Sequence, residues 1–170
     1  AYYDINAGRA YTDAKVSGTA AADLVPSSVQ TSSLSPLVLQ VDVTGSIGTW
    51  PATMFEKLPY LELEAKEYLG ADMEISFSAV GDSYSDRYPL QVRPFNKGTA
   101  LKDELAKLLV EGGGGGSSQE SYELGALYYA RNAAMPNAVK PIFIFIADEA
   151  PYPNVDVSRA DTYAKVRVER

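Results

Sequence analysis

Three polar clusters carry the side chains in this 170-residue chain that could do chemistry together. The first is Asp42-Val43-Thr44-Gly45-Ser46, one carboxylate and two hydroxyls at alternate positions. The second is the glycine run Gly112 to Gly116, followed by Ser117 and Ser118. The third is Asp148-Glu149. All of these groups are hard oxygen donors. Such donors suit Mg²⁺ first, with Mn²⁺ or Ca²⁺ as alternatives, held by several oxygens at about 2.0–2.6 Å. Asp42, Thr44 and Ser46 can point into one cup where a strand turns into a helix. Ser117 or Ser118 can add a hydroxyl, and Asp148 a second carboxylate. Water and a carboxylate from a partner would complete a shell of about six oxygens.

What the chain lacks narrows the chemistry further. It has no Cys and no His, which excludes disulfides, thiolate chemistry, Ser-His-Asp catalysis and the usual zinc sites. Its net charge of −7 is a poor match for phosphate backbones or anionic lipid. Neither nucleic acid nor membrane insertion is therefore expected. The apolar runs are strand-length and too short to span a bilayer. No signal-peptide pattern follows Ala1. A composition of 46% hydrophobic and 22% charged residues fits one globular domain with a real core. The aromatic set is 12 Tyr against 5 Phe and 1 Trp, which suits contact surfaces or half-buried strand and helix positions.

Elements to position the three loops follow from periodicity. Ala1 to about residue 35 is rich in Ala, Ser, Thr and Gly and reads as an N-terminal arm or irregular lead-in. The domain proper runs from residue 36 to 170. Leu37 to Val43 reads as a buried strand ending in the first loop. Thr49, Trp50 and Pro51 open a helix whose stripe is Met54, Leu58, Leu61, Ala65, Tyr68 and Leu69. Gly70 stops it, and Pro59 predicts a kink or a split. Met73 to Val80 reads as a second strand, and Gly81 to Tyr88 as a polar loop with Asp82 and Asp86 as solvated acids. Leu90 to Phe95 reads as an edge strand because of Pro94. Thr99 to Val110 reads as a helix with Leu101, Leu105, Leu108 and Leu109 on one side. Ser117 and Glu120 have capping-box spacing for the next helix. Pro141 to Ala147 is the strongest strand and runs into Asp148, and Ser158 reads as the cap of a last helix.

Alternating strands and helices with continuous apolar strands predict an α/β fold. The expected form is a doubly wound, Rossmann-like, mostly parallel sheet with one antiparallel edge strand and helices on both faces. Ligands in such sheets sit outside the carboxyl ends of the strands, where all three polar loops fall or feed.

At these residues the chain resembles a known family. VDVTGS resembles the D-x-[ST]-x-S signature of the metal-ion-dependent adhesion site of von Willebrand factor A domains. EGGGGGSSQESYELGALYYAR is similar to the family's second metal loop and its following helix, and FIFIADEAPYP to the strand ending in the third. ISFSAVGDSYSDRYPLQVRPF is similar to the second strand and antiparallel edge strand of prokaryotic or viral members. The resemblance covers about residues 35 to 153. It implies Asp42, Thr44 and Ser46 as first-loop ligands, Ser117 or Ser118 where the family usually has Thr, and Asp148 as the third-loop carboxylate. The family's sheet usually has six strands, against four legible here. Two strands are expected beyond Arg170, or else a partner or the N-terminal arm completes the sheet.

The resemblance implies a protein-binding module, serving adhesion or assembly, that presents a divalent cation to an acidic side chain of a partner protein. A structural subunit of a larger, perhaps viral, particle with a passive site is the alternative, and homo- or hetero-oligomers fit either reading. Catalysis is not expected. Haloacid-dehalogenase-like phosphatases also place Asp after the first strand, but they need a second Asp two residues later, and that position is Thr44. The glycine run lacks the Lys-[Ser/Thr] of a P-loop and follows a helix, so it is not read as a phosphate cradle.

Overall fold

The computed structural model describes residues 12–13, 18–47, 50–110 and 118–169. Its centre is a sheet of four strands: β1 (Leu37–Asp42), β2 (Ile75–Val80), β3 (Leu90–Val92) and β4 (Ile142–Ile146). Their spatial order is β3-β2-β1-β4. β1 runs parallel to both β2 and β4, with Leu37 opposite Ile75 on one side and Ile142 on the other. β3 is antiparallel to β2, so the expected antiparallel edge is present. Four helices accompany the sheet: α1 (Trp50–Leu69), α2 (Thr99–Ala106), α3 (Tyr122–Asn132) and α4 (Val157–Tyr163). The chain is thus mixed α/β with a mainly parallel sheet. None of its described helices is long and apolar enough to cross a membrane.

The alternation of side chains along a strand divides the core in two. Leu37, Leu39 and Val41 of β1 join Ile75, Phe77 and Ala79 of β2 and the leucines of α2, with Met54, Leu61, Ala65 and Leu69 of α1 packed alongside. Val38 turns the other way, with Leu90, Val92, Leu124, Tyr128 and Tyr129, and with Ala160 of α4. Helices therefore cover both faces.

The described part of the N-terminal lead-in, from residue 18 on, packs on this body. Val25 and Val29 are buried in the second cluster, and Leu24 in a third with Tyr88 and Leu109. Val29–Gln30 pairs with Ala133–Ala134 just after α3. The Thr31 hydroxyl donates to Glu74 Oε2 at 2.5 Å, and Leu34 N–H to Asp72 Oδ2 at 2.8 Å.

Several local expectations change. α1 runs unbroken through Pro59 and is not split in two. A proline removes one backbone donor, and a 20-residue helix anchored on the core tolerates that loss. Tyr68 is 78% exposed and leaves the predicted stripe. α2 ends at Ala106, and Leu109–Val110 is extended, paired with Thr12–Asp13. The buried Gln91 amide explains the change. Its Nε2 donates to Leu109 O at 2.7 Å and its Oε1 accepts from Leu109 N–H at 2.8 Å. α3 starts after Ser121, with Glu120 in a short strand beside Pro151 and not in the helix, while Ser117 of the expected capping box lies outside the described residues. The cap of α4 is Asp156, whose Oδ1 accepts from Ser158 N–H at 2.9 Å and Arg159 N–H at 3.1 Å.

β1 is also unusual in burying a glutamine. Gln40 is 1% exposed, and its Nε2 donates to Tyr122 O at 3.1 Å. Its side chain fills the space that only a glycine leaves on α3: a Cβ at Gly125 would lie 1.8 Å from Gln40 Oε1. Replacing Gly125→Ala displaces the buried Gln40 amide or the helix against it and should cost about 1–3 kcal/mol, as overpacking does. Urea denaturation measures it. A loss near zero in Gly125→Ala would show that the helix does not depend on this approach.

Candidate functional site

Asp42 is the last residue of β1, and β4 ends in line with Val41, at Ile146. The carboxyl ends of two adjacent parallel strands thus deliver Asp42 and, two residues past β4, Asp148 to one spot. β1 is also where the chain's connections diverge, since β2 follows on one side and β4 on the other. That is the crevice in which open α/β sheets place ligands.

The first loop folds back on its own carboxylate. Asp42 is 0% exposed. Its Oδ1 accepts from Thr44 N–H at 2.7 Å and from the Thr44 hydroxyl at 2.6 Å. This is an Asx-type turn, the local bonding that short polar side chains favour. The Thr44 and Ser46 hydroxyl oxygens are 3.0 Å apart, and Ser46 Oγ lies 3.4 Å from Asp148 Oδ1. Four of the expected ligands, Asp42, Thr44, Ser46 and Asp148, therefore form one continuous chain of oxygens. Ser117 and the glycine run lie outside the described residues. Ser118 is exposed, and among the described residues no hydrogen bond joins it to the other four.

Among the described residues no three Asp or Glu side chains gather as a carboxylate cage. The cup rests on two carboxylates and two hydroxyls. That set fits a hard divalent cation, because every donor is oxygen and the pair of charges balances the ion.

In the apolar stripe Tyr122, Leu124, Leu127, Tyr128 and Ala130 the spacing marks Tyr122 only as an apolar helix position, yet its hydroxyl donates to Asp42 Oδ2 at 2.5 Å. Burial, then the hydrogen bond to Asp42, pushes the phenol far above its usual range, so it stays a donor. α3 thereby secures the oxygen of Asp42 that the loop leaves free. A hydroxyl at the start of an apolar stripe carries no periodic signal, and only packing reveals it.

The reading of Asp82 as a solvated acid is overturned. Asp82 is 3% exposed. It accepts from Tyr84 N–H at 3.0 Å, from the Ser85 hydroxyl at 3.1 Å and from the Tyr152 hydroxyl at 3.1 Å. Asp86 is half-buried, and its Oδ2 accepts from Asp82 N–H at 2.7 Å. Ser121 fastens this loop to the start of α3, taking Ser83 N–H at 3.0 Å and donating to Ser83 Oγ at 2.8 Å.

Negative charge accumulates between the two loops. Glu120 is 1% exposed, and its Oε2 has no hydrogen-bond partner among the described residues. Burial, then the charges of Asp42, Asp82, Asp86 and Glu149, push its carboxyl up to about 8. Burial, then Asp82, pushes Glu123 up to about 7. At the rim, Trp50 is 56% and Phe145 46% exposed, and with Ile47, Ile146 and Ala147 they line an open pocket of about 390 Å³ that ends on Asp148.

Comparison with protein-family models, with curated proteins and with solved structures found no match.

Two expectations follow from these contacts. Tyr122→Phe removes the donor to a buried carboxylate and should cost about 2 kcal/mol in chemical denaturation; an unchanged midpoint would mean that Asp42 does not need it. The acids set a pH dependence. Glu120 and Glu123 hold protons in the fold that the unfolded chain, with carboxyls near 4.5, has released. Stability is then fully present below about pH 4.5 and falls as pH rises to about 8. The melting temperature should drop across that window, and Glu120→Gln with Glu123→Gln should flatten the drop. An equally steep profile in the double variant would assign the dependence to other groups.

Proposed function

We propose that this chain is a doubly wound, von Willebrand A-like module that binds a partner protein through a divalent cation. The observation that carries the reading is the unbroken run of oxygens from Asp42 through Thr44 and Ser46 to Asp148 at the carboxyl ends of β1 and β4. The parallel order around β1, the antiparallel edge strand and helices on both faces support the fold assignment.

In this reading each residue has a distinct task. Asp42 supplies buried charge and holds the loop closed through Thr44. Thr44 and Ser46 turn hydroxyl lone pairs into the cup. Asp148 forms its outer wall. A bound Mg²⁺, or Mn²⁺ or Ca²⁺, would supply a strong local positive charge that attracts an Asp or Glu side chain of the partner. The acid-rich surroundings favour the cation and, without it, repel an acidic partner. The interaction is then switched by the ion. Ser117 or Ser118 would complete the ligand set from the second loop.

A second reading, a structural subunit with a passive cup, has its own support. Thr44 and Tyr122 already satisfy both oxygens of Asp42, so the loop can stand closed without an ion.

Calorimetric titration of Mg²⁺, Mn²⁺ and Ca²⁺ into the chelator-treated chain separates the two. Binding should be present in the wild type and lost in Asp42→Ala, with Ser46→Ala weakening it by about tenfold or more, as loss of a well-placed metal contact does. Heat unchanged by Asp42→Ala would remove the cup as the site. No heat in the wild type would favour the passive subunit.

A further inference from the structure

The end of the sheet opposite the cup carries a second concavity. Glu74 stands just ahead of β2, and Phe95 just past β3, where Ile75 and Asn96 exchange both backbone hydrogen bonds at 2.8 and 2.9 Å. Thr31 and Ser32 of the lead-in, with Ala134 and Pro136 after α3, close a pocket of about 530 Å³ against them. That volume is in the range of small-molecule sites. Asp42 lies opposite Val80 at the far end of β2, about 20 Å away at the rise of a strand. The walls come from residues 30–136, and Glu74 and Phe95 place them on the β2–β3 side of the sheet, away from β4.

The backbone around the pocket is already engaged. Thr31 N–H donates to Ala134 O at 3.0 Å, Ser33 N–H to the Thr31 hydroxyl at 3.0 Å, and Asn137 Nδ2 to Ser32 O at 3.3 Å. What stays open is a charge. Glu74 is half-buried and is the ionisable side chain of the wall. Its Oε2 takes the Thr31 hydroxyl at 2.5 Å. Among the described residues the carboxylate has no other hydrogen bond and no ion pair. Oε1 is therefore free, with the Gln30 amide in the same wall. Phe95, Ala134 and Pro136 supply apolar surface.

This donor set selects a kind of ligand. One carboxylate is too few for a divalent ion, which takes about six oxygens. A guanidinium uses two parallel bonds to both oxygens of a carboxylate, and Thr31 holds one of them. An ammonium is a compact point charge that needs only Oε1. Its alkyl chain can lie on the apolar wall, as a lysine stem does on a protein surface.

We infer that this pocket binds a small linear aliphatic amine as its ammonium ion. Glu74 Oε1 accepts from the ammonium, the Gln30 amide oxygen is a second acceptor, and Phe95 and Pro136 pack on the alkyl chain. The site is separate from the cation cup and does not rest on that reading. Holding the lead-in through Thr31 needs only an acceptor at position 74, which a glutamine supplies equally. Holding an ammonium needs the charge, so Glu74→Gln separates the two roles.

Amide NMR of the 18.3 kDa chain, in chelator, reads both the place and the strength of binding. Butylamine, charged at neutral pH as lysine is, should shift the Thr31, Ser32, Glu74 and Ala134 amides along a saturating curve. 1-Butanol, equal in length but neutral, should leave them in place. Glu74→Gln should keep the wild-type melting temperature and weaken the amine about tenfold or more, as loss of one charge-assisted hydrogen bond does. Ala134→Leu, which narrows the pocket and leaves the charge, should weaken it too. Butylamine shifts that rise without saturating overturn the inference, since a chain of net charge −7 attracts any cation loosely. So do saturating shifts confined to the loops at Asp42 and Asp148, or butanol shifts equal to those of the amine. An affinity unmoved by both Glu74→Gln and Ala134→Leu overturns it as well.

Discussion

The rest of the structure is arranged around a buried carboxylate. Asp42 has no exposed surface, and leaving its oxygens unsatisfied would cost several kcal/mol. Two separate elements meet that demand. Thr44 serves one oxygen from the adjoining loop, and Tyr122 serves the other from α3, 80 residues along the chain. The same residue, Tyr122, offers its carbonyl to Gln40 one pleat below. The polar column Gln40–Asp42 on β1 and the first turn of α3 therefore hold each other. Gly125 lets the helix come close enough for both bonds to form.

That attachment links packing to function. Just ahead of α3 stand the buried Glu120 and Ser121, the latter tied to the Gly81–Tyr88 loop through Ser83. Any shift of α3 moves Asp42's donor and the neighbouring acidic residues together. The cup is thus held by helix packing as much as by its own turn. Such support is what keeps a set of polar side chains aligned without strain.

The protein treats its two sheet edges differently. At the β3 edge, the Gln91 side chain holds the backbone of Leu109, and the Arg93–Glu104 ion pair at 2.6 Å adds charge nearby. At the β4 edge the strand's own side chains are uncharged, and among the described residues its one strand neighbour is β1. The apolar content that makes β4 the easiest strand to recognise is the content expected of a strand with neighbours on both sides.

The amino-acid sequence by itself determined the order and type of the main elements. Runs such as LVLQVDV and PIFIFIA read as strands, the α1 stripe has helical spacing, and Pro94 marks an edge, so a mainly parallel α/β sheet was legible. It also placed Asp42, Thr44, Ser46 and Asp148 at strand ends, because an oxygen-rich turn after an apolar run is a local pattern. What it could not carry were relations between distant residues. Periodicity sees Tyr122 as an apolar position and Asp82 as a loop acid. Their hydroxyl and carboxylate acquire roles only when α3 and the Gly81–Tyr88 loop come against β1. Leu109 looked helical until the amide of Gln91, 18 residues earlier, took its backbone groups. The order β3-β2-β1-β4 is likewise a property of the assembled sheet and not of any one strand. Local propensity and pattern act within a few residues, whereas burial and hydrogen-bond satisfaction are properties of the packed whole, and these decided which polar groups serve the site.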